Sequence, residues 1–187
     1  MKKYLTPFVM AAFLSCAAMN SIAQTTSATL SKVQNLATVT ENVLAITGTS
    51  TGNESVDKFL TSTSNLLQSY QKVNSSINAF NLLKNGKVSD GTKNLTKMAA
   101  LAKLGSLTGQ LGSLTKEATS TAATGTNLVK TLTQQAVGKS EKATETVETI
   151  NKVKTAVDAL TLLGVELPTS VKTANEKITA IKSATGL

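Results

Sequence analysis

The residues of this chain best placed for chemistry are Ser55 and Lys58, which form the pattern Ser-x-x-Lys. A lysine amine one helical turn from a serine hydroxyl can accept its proton and make the oxygen a nucleophile. Serine and lysine are common in this chain, so a chance occurrence of the pattern is expected. Because the pair stands just ahead of a long amphipathic stripe, we interpret Ser55 as part of a helix start and not as a nucleophile.

Acidic residues give a second candidate set, with Glu141, Glu145 and Glu148 spaced by four and three residues. Such carboxylates can meet on one helical face and share acid–base work. However, Lys142 and Lys152 lie among them, and Glu148 with Lys152 forms the favourable i,i+4 ion pair. We therefore expect a solvated, charge-balanced face.

Several other kinds of site are excluded by residue type. The chain has no His, Arg or Trp, and its single cysteine is Cys16. The usual zinc and haem ligands, a Cys–His nucleophile and the bidentate Arg clamp on phosphate all need those residues. We predict a protein that is not an enzyme, with no cofactor, no metal and no small-molecule substrate.

The first 23 residues have the three parts of a secretory signal peptide. Lys2 and Lys3 form the basic region, residues 8–19 are apolar, and Ser21-Ile22-Ala23 is a small-x-small cleavage site. The sequence predicts export to the periplasm or out of the cell, with a processed chain starting at Gln24. Lipidation of Cys16, which would give an outer-membrane lipoprotein, is the alternative.

A short repeat singles out one helical face. Leu-Gly-Ser-Leu-Thr occurs at 104–108 and again at 111–115, and it brings Gly105, Gly109 and Gly112 together on the helix. Glycine inside a helix costs about 1 kcal/mol relative to alanine, so a compensating contact is expected. Gly-x-x-x-Gly spacing allows two helices to approach closely. We predict helix contact at these glycines, with a helix of the same chain, a second copy or a membrane as alternatives.

The positive charge is concentrated in one segment. All 19 basic residues are lysine, and the region 84–116 holds only Asp90 as an acid. We predict that Lys93, Lys97 and Lys103 meet an anionic partner such as lipid or glycan, although the lysines could serve only solubility. Nucleic acid fits poorly, because after residue 23 the aromatic residues Phe59, Tyr70 and Phe80 all lie on one apolar stripe and none is free to stack on bases.

Apolar residues recur at intervals of three and four, which predicts an all-α fold, an elongated bundle of about five helices in one domain over 24–187. Glycine and proline set the boundaries, and we expect a break or kink within 120–127 around Gly125 and a Thr51-x-x-Glu54 capping box. The predicted helices are 28–47, 53–85, 92–137, 139–163 and 170–184, with 53–85 and 92–118 packed antiparallel. We expect a structural or interaction role in the bacterial envelope, with a protein partner or self-association. The alternative is a lipid-active or pore-forming protein in which residues 95–116 insert.

Overall fold

A computed structural model describes residues 36–83, 87–137 and 143–184. These residues form four α-helices and a small antiparallel sheet of three two-residue strands. By their contacts, residues 39–187 form one compact unit, and the packing described below lies within it. In chain order the elements are α1 (Leu36–Thr47), α2 (Glu54–Asn78), β1 (Asn81–Leu82), β2 (Val88–Ser89), β3 (Asn94–Leu95), α3 (Lys97–Val137) and α4 (Ala143–Ser183).

The predicted bundle of helices is confirmed in outline, and its details differ. Residues 28–35 of the predicted first helix, the signal peptide with its Cys16, and Glu141 lie outside the described residues. The sheet is an addition to the all-α prediction. It occupies the connection between α2 and α3, in the order β1-β2-β3.

The start of α2 is capped by Asn53, and the predicted capping box is wrong. The Asn53 side chain accepts hydrogen bonds from the backbone N–H groups of Ser55 and Val56, at 3.1 and 3.3 Å. Asp57, one turn further, accepts from the hydroxyl and the backbone N–H of Thr51. These bonds lower the pKa of the Asp57 carboxyl, which therefore stays ionised at the helix N-terminus, where negative charge is favourable.

The end of α2 comes at Asn78, earlier than the predicted 85. Phe80 keeps its place in the core, but the next residues turn into β1, where Leu82 pairs with Val88. Lys177 of α4 donates to the backbone carbonyls of Asn78 and Phe80. A cation at the C-terminal end of a helix satisfies carbonyls that have no partner inside the helix.

Helix α3 runs without interruption from 97 to 137, so a break within 120–127, one of the two predicted alternatives, is wrong. The threonines that suggested a break bond to the backbone one turn back. Thr119, Thr124 and Thr126 donate to carbonyls four residues earlier, at 2.9 to 3.1 Å. Because their hydroxyls are satisfied inside the helix, these residues do not end it.

Helix α4 is also continuous, so the two predicted segments 139–163 and 170–184 are one helix that contains Pro168. Proline cannot donate to the carbonyl four residues earlier, which here belongs to Gly164. Both residues are exposed, so water can reach this carbonyl. Leu163, Leu167 and Ala174 stay fully buried across the proline, and this common buried face keeps the helix in one piece.

The four described helices surround one apolar core. Contacts at two levels show that α3 runs antiparallel to α2, because Gly125 lies against Phe59 and Lys103 lies against Phe80. The same holds for α4, because Gly125 lies against Val157 and Lys97 bonds to Ala184. The predicted antiparallel packing of α2 with the first half of α3 is therefore present, but α3 makes its most extensive contact with α4. Each of these two helices spans about 60 Å at 1.5 Å per residue.

Candidate functional site

The Ser-x-x-Lys pair at the start of α2 has partners other than each other. Lys58 Nζ forms an ion pair with Glu54 at 2.7 Å, and both side chains are largely exposed. Ser55 is exposed in the first turn, where its backbone N–H bonds to the Asn53 cap. The surroundings of Ser55 match the interpretation of a helix start.

The predicted ion pair on the acidic face is present, with Lys152 Nζ 3.9 Å from Glu148 Oε1. Lys152 also donates to the hydroxyl of Thr49 at 3.2 Å, and so fixes the loop after α1 to α4. Within the three described ranges, no three Asp or Glu residues come close enough together to hold a metal ion.

The three predicted contact glycines lie on the exposed side of α3. A Cβ atom built on Gly105, Gly109 or Gly112 would meet no heavy atom within 4 Å. Close packing of these glycines against another helix of the described chain, one of the alternatives above, is therefore wrong. Contact with another molecule stays a prediction.

These glycines belong to a longer exposed row with regular spacing. Met98, Ala102, Gly105, Gly109 and Gly112 follow one another at intervals of four and three, and all are exposed. We call this row the outer seam. The spacing of 3.5 residues is that of a coiled-coil contact face.

A second row with the same spacing lies on the buried side of α3. We call it the inner seam, and its members are Ala100, Leu104, Leu107, Leu111, Leu114 and Ala118. Helix α3 therefore has two heptad rows, and its own bundle covers only one of them.

Among the glycines of α3, the one that makes a close contact is Gly125, which we did not predict as a site. It is buried, and a Cβ on it would lie 2.5 Å from the Phe59 ring and 2.6 Å from Val157. Gly125 lies seven residues from both Ala118 and Leu132, which are buried. That spacing was the available signal, because it places Gly125 in register with the inner seam.

Of the three predicted anionic-partner lysines, Lys103 already has a carboxylate within the chain. Lys103 Nζ lies 2.6 Å from Asp90 Oδ2, and it also lies over the Phe80 ring, 5.6 Å from its centre. The Asp90 side chain is only 3% exposed. It accepts further hydrogen bonds from Thr92 and from the backbone N–H of Lys93.

These bonds hold the pKa of Asp90 far below its usual range, and the bond from Lys103 has the largest effect. The carboxylate is therefore charged at all ordinary pH values, and it ties the connection between the strands to α3. Gly91 in the same turn has a positive φ of 86° and lies against Ala79, a conformation that glycine adopts easily.

The other two predicted lysines lie at the same end of the bundle. Lys97 Nζ donates to the carbonyl of Ala184 at 3.2 Å, so the start of α3 meets the end of α4. Lys93 is exposed beside Asp90. Helix α4 brings two more lysines to this end, Lys177 and Lys182, which we did not predict to lie there. We call the group the basic end; its members are Lys87, Lys93, Lys97, Lys103, Lys177 and Lys182.

A buried polar chain joins α2 to α4 above the basic end. The Tyr70 hydroxyl lies 2.9 Å from Ser170 Oγ, and Ser170 donates to Asn74 Oδ1 at 3.0 Å. Because Ser170 gives its one hydroxyl proton to Asn74, the Tyr70 hydroxyl donates to Ser170. Burial raises the pKa of Tyr70, which keeps this hydroxyl protonated. Such a chain fixes the register of two parallel helices, because a shift would leave buried polar atoms without partners.

No helix in the described ranges is long and apolar enough to cross a membrane. Comparisons with protein-family models, with curated proteins and with solved structures gave no match.

Proposed function

We propose that this chain is an exported, non-enzymatic protein with a structural or interaction role in the bacterial envelope or outside the cell, which acts through contact of its outer seam with another helix. The simplest occupant is the outer seam of a second copy. Export is supported by the signal-peptide features of the first 23 residues. The contact is supported by one observation, the exposure of three regularly spaced glycines on a continuous helix.

Glycine at these positions makes α3 less stable by itself. Each exposed interior glycine costs roughly 0.5 to 1 kcal/mol relative to alanine, and no contact inside the described chain offsets this cost. A second helix would offset it, because a row without side chains lets two backbones approach closely and form Cα–H···O contacts. The heptad spacing keeps the row facing such a partner.

A symmetric arrangement suits this surface. In a twofold dimer the same row of each copy faces the other, so a row of small residues is complementary to itself. Met98 at one end of the seam is 73% exposed and would be covered in such a dimer.

The direct test compares the association of matched variants by sedimentation equilibrium. Gly105→Leu with Gly109→Leu places two bulky side chains on the seam and should abolish or strongly weaken association. Ser106→Leu with Gln110→Leu adds the same side chains on a neighbouring exposed face of α3 and should leave association unchanged. Equal association of both variants, at unchanged helicity, would contradict the proposal.

A further inference from the structure

The basic end carries exposed apolar side chains in addition to its lysines. Leu82 is 43% exposed, Leu83 is 37% exposed, and Met98 is the most exposed large apolar residue of the described chain. Isolated surface leucines are ordinary. Here they come from two neighbouring elements at one end of the bundle.

The small sheet aligns Leu82 with two other apolar side chains. Leu82 pairs with Val88, and Val88 pairs with Leu95, so the three side chains form one row across the strands. Val88 is fully buried, whereas Leu82 at the edge is open to solvent. Met98 follows three residues after Leu95, in the first turn of α3.

Among the described residues around this apolar edge, positive charge predominates. Between Asp57 and Glu117 the only acid in the sequence is Asp90, which is buried and bonded to Lys103. At the end of α4 the nearest acid along the chain is Glu176, which pairs with Lys172 one turn earlier. Lys87, Lys93 and Lys182 are all exposed on this end.

We infer that the basic end docks on the surface of an anionic phospholipid bilayer, with Leu82 and Leu83 entering the headgroup region and the exposed lysines meeting lipid phosphates. Peripheral binding of this kind combines a small apolar area with positive charge. Each lysine near an anionic surface contributes roughly a factor of five in partitioning. The bundle itself stays closed, because the inner seam remains covered by α2 and α4.

Met98 belongs to both surfaces, but the residues that carry this site, Leu82, Leu83, Lys93 and Lys182, are not part of the outer seam. The chain can bind lipid as a monomer or as a dimer. Failure of either proposal therefore leaves the other standing.

The test is co-sedimentation of the processed chain, beginning at Gln24, with vesicles of phosphatidylcholine alone or with 30% phosphatidylglycerol. Residues 39–187 form one compact unit, so the processed chain keeps the described bundle. We expect binding only to the anionic vesicles, weakened at high salt. Lys93→Glu with Lys182→Glu should lower this partitioning by about tenfold or more.

A control variant separates this site from general charge. Lys116→Glu with Lys130→Glu makes the same change in net charge at exposed positions of α3 away from the basic end, and should lower binding much less. Leu82→Ser with Leu83→Ser should weaken binding at every salt concentration, because apolar contact is not screened. Circular dichroism checks that each variant keeps its helices.

Three results would overturn the inference: no binding to anionic vesicles, equal loss in the two lysine variants, or unchanged binding of the Leu82→Ser, Leu83→Ser variant. A soluble polyanion such as dextran sulfate serves as a further probe. If it binds as tightly as the vesicles, with the same lysine dependence and no effect of the leucines, the basic end recognises a polyanion and the lipid proposal is wrong.

Discussion

Two parts of helix α3 use glycine in opposite ways. At Gly125 the missing side chain makes room for the Phe59 ring and Val157, so the glycine is part of the core. At Gly105, Gly109 and Gly112 the missing side chains leave open space. Glycine spacing alone therefore does not identify an internal helix contact. The single glycine fills that role here, and the repeated glycines face outward.

The largest expected effect breaks the internal contact. Gly125→Val places three carbon atoms where a Cβ alone would lie 2.5 Å from the Phe59 ring, so Phe59 or the backbone must shift. Overpacking of this kind costs about 3 kcal/mol, only partly offset by the better helix propensity. Urea unfolding should show this loss. An unchanged midpoint would mean that α2 and α3 are not in close contact at this level.

Filling the outer seam should instead raise the stability of the monomer. Gly105→Ala with Gly109→Ala adds two methyl groups in open space, so the isolated monomer should gain about 1 to 2 kcal/mol from helix propensity. Unfolding must be measured at concentrations below those at which the protein associates. A loss of stability in the monomer would show that the seam is packed inside the chain.

A double-mutant cycle measures the coupling between Gly125 and Phe59. Phe59→Leu shortens the side chain that faces Gly125, so Gly125→Ala should be better tolerated in that background. We expect a coupling of about 1 kcal/mol between the two positions. The same Phe59→Leu change combined with Gly109→Ala should show additivity within about 0.5 kcal/mol.

The pH dependence of stability should depend on Asp90 at the basic end and not on the glycine sites. Hydrogen bonds hold the folded pKa of Asp90 far below its unfolded value near 3.8, so its stabilising contribution is present above that value and is lost as the pH falls below it. Asp57 contributes in the same direction, while burial raises the pKa of Asp158, which opposes them. In thermal unfolding, Asp90→Asn should therefore lose less stability than the wild type as the pH falls below about 4. Gly125→Val should leave the slope unchanged, and equal slopes in wild type and Asp90→Asn would contradict the assignment.

The helical part of the fold follows from the sequence because three- and four-residue spacing of apolar residues is a local signal. That signal located the helices α2 and α3. It did not locate the C-terminal end of α2 or the continuity of α4, because those depend on contacts distant in sequence. Lys177 satisfies the end of α2 across about a hundred residues, and the buried face around Leu163 and Leu167 carries α4 past Pro168.

The candidate sites were likewise predictable from the sequence only in part. The glycine repeat was visible in the sequence, but only the structure shows that it faces outward. The lysine-rich segment was also visible. Only the structure shows that Lys103 bonds to Asp90 and Lys97 to Ala184 within the chain. Lys177 and Lys182 reach the same end because α4 packs antiparallel to α3.

The most direct test of the proposed contact is disulfide formation between copies at a single introduced cysteine. In a Cys16→Ala background the chain has no other cysteine, so Gly109→Cys on the outer seam and Gln110→Cys about 100° around the helix form a matched pair. After mild oxidation we predict a covalent dimer with Gly109→Cys at concentrations where Gln110→Cys stays monomeric. Equal cross-linking at the two positions, or none at either, would contradict self-association through the outer seam.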